Sequence, residues 1–311
     1  MIAPTSIPTL AEAPTPSGSW LAQLARLVRW ELFLAWRRRA MMITLASLLL
    51  VGYLLVVLIE YAVYYSSAHG AMSGPAIGQA LAFPGALGVG GSYIADAGVL
   101  LFVVLAGALI GSEYSYSTLR LSLARGVGRG QLLAAQIIAL AIISLALTAL
   151  ALGMSALVGG IGSLAGLSPA TSAPAAGVAG EIVVYWLALA YNIFAYALVS
   201  VWIGTLTRSV AGAIAGPLVF IVIEVVTTDI LTALGGAQVD SPLLNALASI
   251  PSYLMGVNTS ALVTWAGAKP YAFTSGMAPV DGWHALIVSA IYCALFILIS
   301  YLALRHRDVV E

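Results

Sequence analysis

The sequence predicts an all-α polytopic membrane protein: six transmembrane helices with N and C termini cytoplasmic, preceded by an amphipathic interfacial helix. Three observations lead there. Hydrophobic residues fill 61% of the 311 positions and charged residues only 8%, against about 25% charged residues in soluble domains. Mean hydropathy is +1.04, and apolar runs near the length of about 20 residues needed to cross a hydrocarbon core recur along the chain. Of the twelve basic residues, all but Lys269 fall on one side of a six-span threading. They are Arg26, Arg29, Arg37, Arg38 and Arg39 before the first span, Arg120, Arg125 and Arg129 between the second and third, Arg208 between the fourth and fifth, and Arg305 and Arg307 after the last. The positive-inside rule puts that side in the cytoplasm, and the chain is expected to be a multi-pass protein of the cell (inner) membrane.

The elements follow in order. Residues 1–19, rich in Pro, Ser, Thr and Ala, lack the basic and apolar regions of a signal peptide and read as a disordered cytoplasmic tail. Residues 20–40 place Leu21, Leu24, Leu27, Val28 and Leu32 on one helical face, with Arg residues elsewhere and three Trp along the segment. That pattern fits a helix lying in the headgroup plane, and it fits a basic flank that fixes orientation equally well. The six-helix transmembrane domain is 41–304, with spans at about 41–64, 94–111, 132–158, 182–206, 210–231 and 283–304. Gly107 and Gly111 form a small-xxx-small pair, and Pro217 interrupts the fifth span. The 232–282 loop contains a semi-apolar piece interrupted by Asn245, Ser249, Pro251, Ser252, Asn258 and Thr259. It reads as short helices dipping into the outer leaflet or capping the bundle. A seventh crossing there would carry Arg305 and Arg307 outside. Residues 305–311 form a second cytoplasmic tail.

Several functions are disfavoured by composition. A net charge of zero leaves no electrostatic footprint for nucleic acid. The single Cys293 lies within an apolar run, so neither a disulfide framework nor a thiolate metal site is expected. His69, His284 and His306 are scattered, which predicts no metal site. No catalytic constellation stands out. A phosphate-cradling loop needs Gly-x-x-x-x-Gly-Lys-Ser/Thr, and the sole lysine, Lys269, precedes a proline. The chain is therefore expected to be no enzyme and to bind no cofactor of its own.

Ionisable and polar residues at membrane depth are the candidates for a translocation path. Glu224 stands fourteen residues into the fifth span, roughly 21 Å along at about 1.5 Å per residue. A buried carboxyl at that depth serves either as an interhelical strut or on a substrate or proton path. Glu60, Asp96, Glu181 and Asp229 read as solvated residues at outer span ends. Tyr191, Asn192 and Tyr196 on the fourth span are compatible with a cavity lining, and helix packing explains them nearly as well.

The segment Gly111–Gln131, GSEYSYSTLRLSLARGVGRGQ, is the internal place where Arg residues cluster. Ser117 or Thr118 can cap a short helix, Leu119 and Leu123 share a face at i and i+4, and Gly126 can end it. Such a helix suits docking into a groove on another protein, with Leu anchors oriented by Arg120 and Arg125. A loop that only sets orientation is the plainer alternative.

These residues carry a resemblance. An acidic residue at the end of the second span, then Gly-Thr-Leu, a Leu-rich turn and an Arg-Pro-Val-x-Arg-like segment before the third span resembles the ABC-2 family of ABC transporter permease subunits. Glu113 takes the acidic place, Ser117, Thr118 and Leu119 the next, and Arg125 through Arg129 the last. Departures are Ser117 for Gly, Gly126 for Pro, and Gln136 for a Lys often found early in the third span. The resemblance implies a coupling helix, with Glu113, Thr118, Leu119, Arg120, Leu123, Arg125 and Arg129 at the contact to a cytoplasmic ABC ATPase subunit. It also implies a second permease subunit, as homo- or heterodimer, an export direction, and ATP and Mg on the partner subunit. Two other classes stay open: an ion- or proton-coupled secondary transporter using Glu224, and a non-transporting membrane scaffold.

Overall fold

In this computed structural model, residues 19–67, 74–115, 128–167, 177–236, 246–247, 249–268 and 278–306 are described. Among them there is no strand. The helices are α1 (Trp20–Arg37), α2 (Arg39–Ser67), α3 (Gly74–Leu81), α4 (Ala86–Tyr93), α5 (Val99–Ser115), α6 (Arg129–Leu164), α7 (Val178–Thr207), α8 (Val210–Gly236), α9 (Met255–Gly267) and α10 (Gly282–His306). A π-helical turn, Ile94–Gly98, joins α4 to α5, and a 3-10 turn, Ile250–Tyr253, precedes α9. Six stretches are long and apolar enough to cross a membrane: Arg39–Ser66, Ala86–Glu113, Arg129–Leu164, Val178–Thr207, Val210–Leu234 and Gly282–Arg305.

Helix α7 is the hub, packed against α5, α6, α8, α9 and α10. Its Tyr185, Leu189, Ile193, Ala195, Ala197 and Val199 are fully enclosed. Helix α2 is peripheral: only 11% of its most apolar stretch is buried, against 56% for α7. An all-round apolar helix with so little protein cover suits a surface bathed in lipid rather than water.

Close approach of backbones sets the α5–α8 contact. A side chain at Gly107 would meet the Ala213 carbonyl oxygen at 2.3 Å, and one at Gly111 would meet Val210 Cα at 2.6 Å. Ala213 is four residues before Pro217, so its carbonyl is the one that Pro217 leaves without a helical donor. Gly107 brings α5 against that freed group. The turn into α8 is equally tight. Arg208 takes φ 52° and its N–H bonds to Gly204 O, while Ser209 Oγ accepts from Gly212 N at 3.0 Å.

The second crossing stretch starts at Ala86, eight residues before the boundary the sequence suggests. Asp96 is thereby corrected from an outer end to a position inside the stretch, on the π turn, where its side chain is exposed. The widened turn leaves the Ala95 carbonyl free to accept from Asn192 Nδ2 at 3.2 Å.

Helix α9 has 13 residues, about 20 Å at 1.5 Å per residue, too short for a hydrocarbon core of about 30 Å. It inserts against α7 and α10, burying Met255, Asn258, Thr259, Ala261, Val263 and Ala266. Its C-terminal end lies beside the start of α10, where Trp265 abuts Gly282. Its N-terminal end meets Glu224, well inside α8. The helix thus re-enters the bundle from one side. Asn258 Nδ2 ties the non-helical approach by donating to Ser252 O and Leu254 O, and Tyr292 OH donates to Tyr253 O. Irregular backbone at this depth is tolerated because protein groups satisfy it.

Candidate functional site

Two polar clusters interrupt the apolar interior. The first joins α1, the start of α2, the end of α5 and the start of α6. On α1, Leu24, Leu27, Val28 and Leu32 turn wholly or partly inward, and Leu21 stays exposed. The buried stripe also includes Glu31, only 9% exposed. Its carboxyl group hydrogen-bonds to that of Glu113, 8% exposed at the end of the second crossing stretch. Gln136 Nε2, from α6, donates to Glu113 Oε2. Arg38, at the α1–α2 junction, donates to Ala108 O at 2.9 Å and to Ser112 Oγ. Burial pushes the Glu31 carboxyl above the ordinary carboxylate range; the bond to Glu113 and the Arg38 charge oppose that push.

The same end of the bundle has a second tie. Arg129 Nη1, in the first turn of α6, donates to Leu304 O at 2.8 Å and Arg305 O at 3.2 Å, satisfying carbonyls at the end of α10. Gln131 Nε2 reaches Gln23 Oε1 at 3.4 Å, and α1 packs mainly along α6. Glu113 and Arg129 thus anchor the two ends of the 116–127 segment. Thr118, Leu119, Arg120, Leu123 and Arg125 lie outside the described residues.

The second cluster centres on Glu224, 7% exposed. Tyr196 OH donates to its Oε2 at 3.0 Å and Gly256 N to its Oε1 at 2.6 Å. Gly256 is the second residue of α9, so the carboxyl group caps an N–H that has no acceptor within its own helix. A side chain at Gly256 would collide with Tyr196 OH at 2.4 Å. Tyr196 and Glu224 are therefore together. Tyr191 and Asn192 are not: Tyr191 OH donates to Ser289 Oγ at 3.1 Å on α10, and Asn192 faces the π turn. Three polar residues of α7 serve three different neighbours.

Tyr191 also borders an apolar cavity of about 410 Å³ with Ser144, Phe194, Leu262 and Leu286. Its wall is shared by α6, α7, α9 and α10. Among the described residues no group of three or more His, Cys, Asp or Glu is placed to hold a metal ion.

Sequence reasoning passed over Glu31, Arg38 and Gln136 as partners. A signal was present: Glu31 follows Val28 by three and precedes Ala35 by four. An acid on the apolar face of a basic helix calls for a buried partner. Gln136, read only as a departure from Lys, supplies a neutral donor to Glu113 at the place where a Lys would supply a charged one.

No curated protein matches the chain. A family model described as a protein of unknown function, DUF2705, matches residues 89–310. The match takes in the last four membrane-length stretches and all but the first three residues of the second, together with Glu113, Arg129, Gln136, Tyr196, Glu224 and Gly256. Because it covers well over half of the chain, the protein belongs to the family of unknown function DUF2705.

Proposed function

We propose that this chain is the permease subunit of an ABC exporter in the cell (inner) membrane, coupled through the 111–131 loop to a separate ATP-binding subunit. The observation that carries the reading is the anchoring of both ends of that loop by polar bonds, buried at Glu113 and partly buried at Arg129. A loop whose task is to set orientation needs positive charge alone. Here Glu113 is tied to α1 and α6, and Arg129 to the end of α10. Displacement of the loop is thereby transmitted to four helices. In this reading Leu119 and Leu123 seat on the ATPase, Arg120 and Arg125 orient them, ATP and Mg bind to the partner, and a second permease subunit completes the path.

The test is co-purification of the full chain from its native cells in mild detergent. A bound subunit that hydrolyses ATP is expected with the wild type and is lost when Leu119 and Leu123 are both replaced by Asp. Absence of any ATPase from the wild-type preparation, or undiminished capture by the double variant, overturns the proposal.

A second reading rests on Glu224, whose contact with the N-terminus of a re-entrant helix at mid-bundle is an arrangement that ion-coupled carriers use. It expects the purified chain alone to transport under an ion or proton gradient and to lose that transport in Glu224→Gln. Transport that requires ATP and an ATPase subunit excludes it.

A further inference from the structure

Helices α2 and α6 both pack against α4, and between them runs a groove of about 390 Å³. Its α2 wall is Ile43, Ala46, Ser47, Leu50 and Tyr53; its floor is Gly90, Tyr93 and Ile94; its α6 wall includes Leu147, Leu150, Ala151 and Ser155. Ile43, Leu50 and Leu150 at the rims are 66%, 40% and 61% exposed, so the groove opens sideways to the surroundings of the bundle. Those surroundings are hydrocarbon along membrane-length helices, and an apolar space of this size open to lipid is filled by it.

Two further observations narrow the occupant. From Ile43 to Tyr53 the α2 wall rises about 15 Å, half of a hydrocarbon core of about 30 Å. One acyl chain of one leaflet fits that length. The Tyr53 and Tyr93 rings, 6.1 Å apart, close the deep end. At the other end, Arg39 lies four residues before Ile43 and so one turn below it on the same face of α2. The neighbouring Arg38 is committed to Ala108 and Ser112. Arg39 is exposed, as is Arg37 in the last turn of α1. A guanidinium group at the mouth of a chain-length groove is matched by a phosphate at the head of the chain.

We propose that this groove is a binding site for one anionic phospholipid, its acyl chain between α2 and α6 and its headgroup phosphate on Arg39. The site is independent of the transport reading, because it needs only a bilayer around the six long helices. Bound lipid wedges the sparsely buried α2 against the rest of the bundle.

Native mass spectrometry of the full chain in micelles, with added phosphatidylglycerol or phosphatidylcholine of the same chains, tests the site. The wild type is expected to retain one phosphatidylglycerol over phosphatidylcholine by about fivefold, the weight of one basic side chain at an anionic membrane surface. Arg39→Gln removes that preference and keeps the weaker, headgroup-blind binding. Ser47→Trp, at an exposed position on the groove wall, loses both lipids without touching the core. Leu58→Trp, on an exposed part of α2 beyond the groove, changes neither. Equal retention of the two lipids by the wild type, or unchanged retention by Ser47→Trp, overturns the proposal.

Discussion

Replacing Glu224 separates its two possible roles, because its hydrogen bonds fix what each substitution removes. Glu224→Leu deletes both acceptors, leaving Gly256 N–H buried without its side-chain acceptor and Tyr196 OH without its acceptor on α8. Each orphaned donor costs about 1–3 kcal/mol, so the variant is expected to lose about 2–6 kcal/mol. Glu224→Gln keeps one oxygen and forfeits about half of that. Tyr196→Phe removes one interhelical bond, worth about 0.6–1.7 kcal/mol in membrane proteins, where the unfolded reference also finds partners. The assay is reversible unfolding in mixed micelles with increasing SDS, followed by circular dichroism, on the three variants and the Tyr196→Phe/Glu224→Gln pair. The expected order of loss is Leu, then Gln, then Phe, with the double variant losing less than the sum of the two single changes. Hydrogen exchange should localise the damage to the first turn of α9. Wild-type stability in Glu224→Leu would refute the reasoning, since the carboxyl group would then be holding nothing.

Further predictions concern the other contacts. Gly107→Ala places a methyl against the Ala213 backbone, which cannot move aside as a side chain can. A loss of about 1–3 kcal/mol is expected, whereas Gly153→Ala, with nothing within 4 Å, is neutral or gains up to about 1 kcal/mol in the same SDS titration. The raised Glu31 pKa means that its protonated form is favoured when α1 is docked. Docking is therefore strongest below the unfolded glutamate pKa and weakens as pH rises through the raised value. Hydrogen exchange of α1 amides should quicken across that window, and Glu31→Gln, which carries no titrating proton, should flatten the dependence. Arg129→Ala removes the donors to Leu304 and Arg305 carbonyls and should fray the last turn of α10, by about 0.3–1 kcal/mol in local exchange.

Much of the architecture was legible because the bilayer imposes long apolar runs, and these survive in sequence whatever the packing. The start of the second crossing stretch was harder to see. Ala86–Tyr93 is Gly-rich and of weak helix propensity, and four of its five buried residues are Gly or Ala. Tertiary packing makes it a helix. The short length of α9 was readable from its polar interruptions, but its insertion beside Glu224 was not, since no local pattern pairs position 224 with position 256. Likewise Tyr191, Asn192 and Tyr196 share a helix and a polar character, and only their angular positions, read against α10, the π turn and α8, send them to separate partners.

The two polar clusters occupy different places in the same frame, and that difference bears on which can move. Glu224 is held by α7 and by the backbone of α9, both packed into the hub, so a change there must repack residues such as Met255, which is fully buried. Close packing resists such change, because interiors at crystal-like density have no room for gradual displacement. The Glu31–Glu113 junction joins α5 to α1, which exposes Trp20, Trp30, Phe33 and Trp36. Breaking it frees one helix rather than five. A pair of buried carboxyl groups near Arg38 is also a contact that a change of charge can release. If force enters this protein through the 116–127 segment, α1 is the element that yields first. A spin label at Phe33 paired with one at Ile142, on exposed faces of α1 and α6, should then show a changed distance distribution on nucleotide addition to the proposed complex with an ATP-binding subunit, while a pair at Val222 and Trp265 stays fixed. Movement of the second pair without the first would reverse the assignment of the rigid and mobile parts.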